Sequence, residues 1–192
     1  MDSLKPLIGV VIGSTRDGRF GDKPAQWIHD VAAKREDLAV LLIDLRDHPL
    51  PFFDEAAAPS WAAVKNPAAR RWAEALAPLD GLIVVTPEYN HGPSAVLKNA
   101  FDYAYKEYTR KPIGFVGYGS VGAARAIEQL RLVAIELQMA PIRHAVHIGR
   151  AEFLGVWQQG NAFEDFPELG HAAKGLLDDL VWWAKALKHA RG

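Results

Sequence analysis

The chain has 192 residues, 49% of them hydrophobic and 23% charged, with no cysteine and a formal net charge of -1. This describes an ordinary folded protein whose core needs no covalent staple, and it excludes disulfide frameworks, thiolate zinc sites and cysteine nucleophiles. The near-neutral balance argues against a broad surface for nucleic acid and against a strongly acidic electron carrier that docks by charge.

The first apolar run, Leu7–Ile12, reads as a strand. The run is short, no charged n-region leads into an apolar h-region, and Gly-Ser-Thr-Arg ends it, so it is not expected to be a signal peptide. A helix pattern follows over 24–34. Asp22 is its expected cap, and Pro24 sits in the first turn, where a missing N–H costs little. Residues 39–45 (AVLLIDL) form a second strand, and a Pro-rich connection over 47–59 leads to a helix over 66–76. The third strand spans 81–86 and its helix 94–105. The fourth strand, 112–116, precedes a long helix over 122–138 with Ile127, Leu130 and Ile135 on or near one stripe. The fifth strand spans 142–148. A loop rich in Gly, Asn and Phe then leads to a last helix over 169–189.

Near-continuous apolar strands separated by helices define a parallel sheet covered on both faces. Five such units predict an α/β, doubly wound, three-layer sandwich forming one domain over 1–192. No stretch approaches the ~20 apolar residues a membrane helix needs. The expected setting is therefore cytoplasmic, without a membrane partner.

Three loops carry chemistry. Gly13-Ser14-Thr15-Arg16-Asp17-Gly18-Arg19-Phe20 lies between the first strand and the first helix. Small residues, two hydroxyls, two arginines and a helix N-terminus together suit a terminal phosphate. The loop lacks the Gly-Lys-Ser/Thr of a Walker loop and the GxGxxG of a dinucleotide site. The second loop follows the third strand and carries Glu88, expected to be exposed, then Tyr89, Asn90 and His91, framed by Pro87 and Pro93. Its aromatic and polar groups suit the face and edge of a planar ring. The third loop, Gly117-Tyr118-Gly119-Ser120-Val121-Gly122, follows the fourth strand. Its glycines allow a backbone to approach a ligand closely. In a flavodoxin-like order 2-1-3-4-5, these loops line one crevice at the point where the chain reverses direction.

The blocks GSTRDGRFGDKPAQW, Pro-Leu-Pro-Phe-Phe-Asp at 49–54, TPEYNHGPSAVLKNAFDY and GYGSVGAARAIEQLR occur here in the order found in one family. Over roughly residues 7–150 the chain resembles the NADPH-dependent FMN reductases of the flavodoxin-like superfold. The resemblance implies that Ser14, Thr15 and Arg16, with Arg19 as a further candidate, hold the FMN phosphate. It implies that Pro87, Glu88, Tyr89, Asn90 and His91 meet the isoalloxazine, and that Tyr118, Gly119 and Ser120 close over its other edge. Ser120 stands where the family often has a second glycine.

The same resemblance implies a two-electron enzyme. NADPH or NADH supplies a hydride, and a small acceptor (flavin, quinone, azo compound or chromate) receives it. The cofactor carries the chemistry, so no catalytic side chain and no metal ligand is expected. Asp44, at the end of the second strand, is expected to be structural or a surface group. A homodimer, or a dimer of dimers, is also implied. Its expected surface is the helix after Ser94, whose Val96, Leu97, Ala100, Phe101 and Ala104, with Tyr103, Tyr105 and Tyr108, exceed one core-facing stripe. The main rival is a flavodoxin-type carrier that binds FMN without nicotinamide turnover. A non-flavin α/β protein has less support, because a P-loop and a G-x-S-x-G elbow are both missing.

Overall fold

A computed structural model describes residues 5–192. Five parallel strands form one sheet: β1 (Leu7–Ile12), β2 (Ala39–Asp44), β3 (Gly81–Pro87), β4 (Pro112–Tyr118) and β5 (Ala140–Ile148). Their order is 2-1-3-4-5, the expected flavodoxin-like arrangement. The helices are α1 (Asp22–Ala33), α2 (Pro67–Leu76), α3 (Ala95–Asp102), α4 (Ala124–Glu136), α5 (Arg150–Gln158) and α6 (Pro167–Arg191).

The strands split their side chains between two cores because successive residues point to opposite faces. Ile8, Val10 and Ile12 of β1 join Ile83 and Val85 of β3 against Trp27 and Ile28 of α1 and Leu176 and Leu180 of α6. Val11, Leu82 and Val84 face Trp72 and Leu76 of α2, Leu97 and Phe101 of α3, and Ile127 and Leu130 of α4. β3 and β4 are buried throughout. β2 lies at an edge and leaves Leu41 and Leu42 exposed.

Helix ends differ from the sequence expectation where side chains have other work. Gly21, not Asp22, precedes α1, and no side chain caps that helix; Asp22 instead pairs with Arg19. Ser94 caps α3, accepting from the Leu97 N–H at 3.3 Å and donating to the Gly13 carbonyl. It thereby fixes the start of α3 to the end of β1. α3 stops at Asp102, short of the expected 105. The expected surplus of apolar side chains after it goes into the core, where Tyr103 and Tyr108 are fully buried.

α5 is a correction, because its residues fall in the stretch expected to be a loop. It starts directly after β5 with no capping side chain and contains Gly155. The usual start signal is therefore missing from its sequence. The Pro-rich segment before α2 is a loop, as expected, and Asn99 holds it: Nδ2 donates to the Pro51 carbonyl and Oδ1 accepts from the Phe53 N–H. Among the described residues, no helix is long and apolar enough to cross a membrane.

Candidate flavin site

The three loops meet at the carboxyl end of β1, β3 and β4, as the strand order requires. Arg16, Gly18, Phe20, Pro87, Tyr89, Tyr118 and Gly119 line a cleft of about 160 Å³ there. Larger cavities of about 570 and 640 Å³ lie elsewhere on the surface, and neither the Pro87–Tyr89 nor the Tyr118–Gly119 segment reaches them. The small cleft is the candidate site because all three loops converge there.

The first loop is tied down at its start by the Gly13 N–H, which donates to the Val85 carbonyl at 2.8 Å. Ser14 is buried and its Oγ lies 3.1 Å from the Tyr89 hydroxyl, so the first and second loops touch directly. Thr15 is half-buried and Arg16 is exposed. Among the described residues, no hydrogen bond engages the N–H of Phe20, Gly21 or Asp22. The start of α1 thus keeps unspent donors, four to six residues after the exposed Arg16. Gly18 has a φ of +59°, with open space where a side chain would start.

Arg19 does something else. Its Nε donates to Asp22 at 2.7 Å, Nη1 to Asp44 at 2.7 Å and to the Ser14 carbonyl, and Nη2 to Asp44, while Nη2 also forms an ion pair with Asp22. Four of the five guanidinium hydrogens are spent on the protein. Arg19 thus clamps the phosphate loop from within the cleft lining. Burial opposes its charge, but the hydrogen bonds and charges of Asp44 and Asp22 outweigh that and raise its pKa. Asp44, which the sequence placed only as structural or superficial, is the other half of the clamp.

The second loop turns sharply. The Tyr89 N–H donates to the Gly92 carbonyl at 2.9 Å and the Gly92 N–H returns to Tyr89 at 3.0 Å. Asn90 and His91 between them have φ values of 51° and 69°. Two successive positive φ angles inside such a pair mark a type I′ turn. Asn90 and His91 are exposed and lie outside the cleft lining. Gln129 of α4 donates to the His91 carbonyl at 2.7 Å and steadies the turn.

Glu88 is a second correction. Its side chain is only 7% exposed. The carboxylate accepts from the Arg125 side chain at 2.5 Å and the Arg125 N–H at 3.1 Å. It therefore caps the start of α4, and the residue lines the cleft beside Pro87 and Tyr89. Burial opposes its charge, but Arg125 and the backbone N–H groups hold its pKa below the usual carboxylate range.

In the third loop, Tyr118 is buried with its ring centroid 5.3 Å from Phe20. A side chain at Gly21 would meet its hydroxyl, so Tyr118 forms the floor of the cleft beneath the first loop. Burial pushes the Tyr118 pKa well up, keeping the phenol neutral. Gly119 has a φ of +130° and no atom within 4 Å of where a side chain would stand. Ser120 is exposed at the rim. Sequence reasoning missed the wall supplied by α5, Phe153 and Trp157. Two aromatics four residues apart were the available signal.

The residues present fit a phosphorylated planar cofactor. Unspent N–H donors and Arg16 come from the loop after β1 and the start of α1, and the open space at Gly18 and Gly119 borders a cleft walled by Tyr89 and Tyr118. Fold and loops together define a flavodoxin-like flavoprotein. The match over residues 6–153 to the family of NADPH-dependent FMN reductases shows that this chain belongs to that family. It is 36% identical over 146 residues to an NAD(P)H-dependent FMN reductase of Nectria sp, covering 71% of this chain and 72% of that one. It is 32% identical over 139 residues to a 2-hydroxy-1,4-benzoquinone reductase of Burkholderia sp, covering 69% and 72%. In fold it is similar to the flavoenzyme NAD(P)H:(acceptor) oxidoreductase FerB of Paracoccus denitrificans, with a TM-score of 0.73 and 20% identity over 94% of this chain and 98% of that one.

Proposed function

We propose that this protein is an FMN-dependent NAD(P)H oxidoreductase whose acceptor is a quinone-type molecule. The convergence of the three loops on one cleft, with Ser14 touching Tyr89, carries this reading. Bound FMN supplies the hydride relay between nicotinamide and acceptor. Thr15, Arg16 and the free N–H groups before α1 hold the phosphate, with Ser14 positioned by Tyr89. Pro87, Tyr89, Gly119 and Ser120, with the backbone at Asn90 and His91, orient the ring. The net reaction takes a hydride from the nicotinamide and a proton from solvent, and converts a quinone to its hydroquinone. The quinone class is favoured by the 2-hydroxy-1,4-benzoquinone reductase among the relatives.

Residues 1–192 are read as one flavin-binding domain in the cytoplasm. The active form is read as a homodimer, or a dimer of dimers, using the surface around exposed Phe52 and Val96. Sizing at low micromolar concentration checks the assembly, and a strictly monomeric elution counts against it. The absorption spectrum of the purified protein, before and after anaerobic NADPH, tests the activity. Flavin bands that bleach on mixing support it. Bound flavin that does not bleach favours the flavodoxin-type carrier, and a colourless protein that refuses added FMN overturns both.

A further inference from the structure

The cleft has one wall that the three loops do not supply. It comes from α5 and consists of Phe153 and Trp157. Their rings continue a chain of aromatic contacts that starts inside the protein. Phe20 lies 5.3 Å from Tyr118 and 4.7 Å from Phe153, and Phe153 lies 5.1 Å from Trp157. Phe20 and Tyr118 are buried, whereas Trp157, the outermost ring, is 48% exposed. Trp61, Trp182 and Trp183 are also exposed, but none of them lines this cleft. The family match ends at residue 153, one helical turn before Trp157.

We propose that Trp157 is the residue that selects the acceptor, stacking its indole on the face of a planar, electron-poor ring of the quinone type. This deepens, and rests on, the reductase reading above. An indole offers a large flat surface at a low cost in side-chain freedom, because only two torsions must be fixed. Phe153 packs against the ring and limits those torsions further. The indole face is electron-rich, and a quinone ring is its electrostatic complement. The position of Trp157 on the rim exposes it to an arriving acceptor, while the inner rings are already committed to the core.

The test compares Trp157→Ala and Trp157→Phe in the FMN-loaded protein at saturating NADPH, with menadione and ferricyanide as alternative acceptors. Menadione takes two electrons and two protons per molecule. Ferricyanide takes one electron per ion, two ions per NADPH, and has no flat ring to stack. The chain has no cysteine for menadione to alkylate. The ratio of kcat/KM for menadione to that for ferricyanide falls about tenfold in W157A, mainly through the menadione KM, and W157F recovers most of it. An equal loss with both acceptors, or no loss with either, overturns the proposal. So does a raised KM for NADPH with an unaltered acceptor ratio, which would give the indole to the nicotinamide.

A second arm needs no turnover. Anthraquinone-2-sulfonate is titrated into flavin-free and FMN-loaded protein while tryptophan emission is followed. A saturable quench in the wild type that is absent from W157F supports the contact, and identical curves overturn it. If the wild type took up no FMN, the reductase reading would fail alone, and the flavin-free titration would still decide the role of Trp157.

Discussion

Arg19 and Asp44 form a buried two-pronged ion pair that joins the turn after β1 to the end of β2. The Arg19 side chain is 2% exposed, so its charge has no access to water. Further Arg19 hydrogens go to Asp22 and to the Ser14 carbonyl, which shapes the phosphate loop before any ligand arrives.

Asp44→Asn leaves that buried guanidinium with Asp22 as its one carboxylate. Losing one partner of a buried pair costs several kcal/mol, and the residual partner reduces the cost to roughly 2–4 kcal/mol. Urea unfolding should read that loss, and FMN titration should show weaker binding because the loop loses its shape. The pH dependence has a definite sign. Burial opposes the Asp44 charge, but Arg19 and the Arg46 N–H outweigh it and lower the pKa. A lowered folded pKa means stability that is present above the unfolded value of about 3.9 and lost as pH falls through the folded value. The wild-type advantage over D44N is thus full at pH 7 and closes in acid below about pH 4.

Ser14 and Tyr89 test the link between the phosphate loop and the ring loop. Each of Ser14→Ala and Tyr89→Phe removes one partner of a 3.1 Å contact. A net loss of about 1 kcal/mol corresponds to roughly fivefold weaker FMN binding in each. Quenching of FMN fluorescence measures it. The double variant should lose less than the sum of the two, and strict additivity would mean that the contact does not matter to binding.

His91 tests the turn. A β-branched residue at its φ of 69° is strained, whereas glycine is at ease there. His91→Val should cost about 1–2 kcal/mol and lower Tm by roughly 2–8 °C. His91→Gly should stay close to wild type in a thermal scan. Equal behaviour of the two variants would show that backbone strain does not govern this turn.

Lys111 tests the far side of the sheet. It is buried, and its Nζ donates to the Leu76 carbonyl at 2.9 Å and the Ala77 carbonyl at 3.2 Å, closing the end of α2. Burial first, then the nearby Arg191, lowers its pKa to about 8. The unfolded chain therefore binds more protons than the folded one between about pH 8 and 10.4, so this group makes stability rise with pH across that window. Lys111→Met should flatten the rise, by up to about 1.4 kcal/mol per pH unit. Denaturant unfolding at pH 7.5, 8.5 and 9.5 checks it.

The sheet was legible because its information is local. LIGVVI, GLIVVT and PIGFV are apolar without interruption, and only a strand covered on both faces tolerates that. The three polar loops directly follow these runs, so strand order alone brought them together. α5 was not legible, since nothing in Gly149-Arg150-Ala151 signals a helix start and the contacts that hold Phe153 come from Phe20, far away in sequence.

Residue types and spacing by themselves thus determined the layer architecture and the loops that meet at the candidate site. The tertiary structure decided what each side chain does there. The sequence carries no sign of the partners of Arg19 and Glu88; Asp44 and Asp22 hold the first and Arg125 the second inside the protein. Tyr103 and Tyr108 read as a surplus until α2 and the Pro-rich loop covered them. The physical reason is the same in each case. A strand is specified by its own side chains, but the role of a charged or aromatic group depends on which distant group reaches it first.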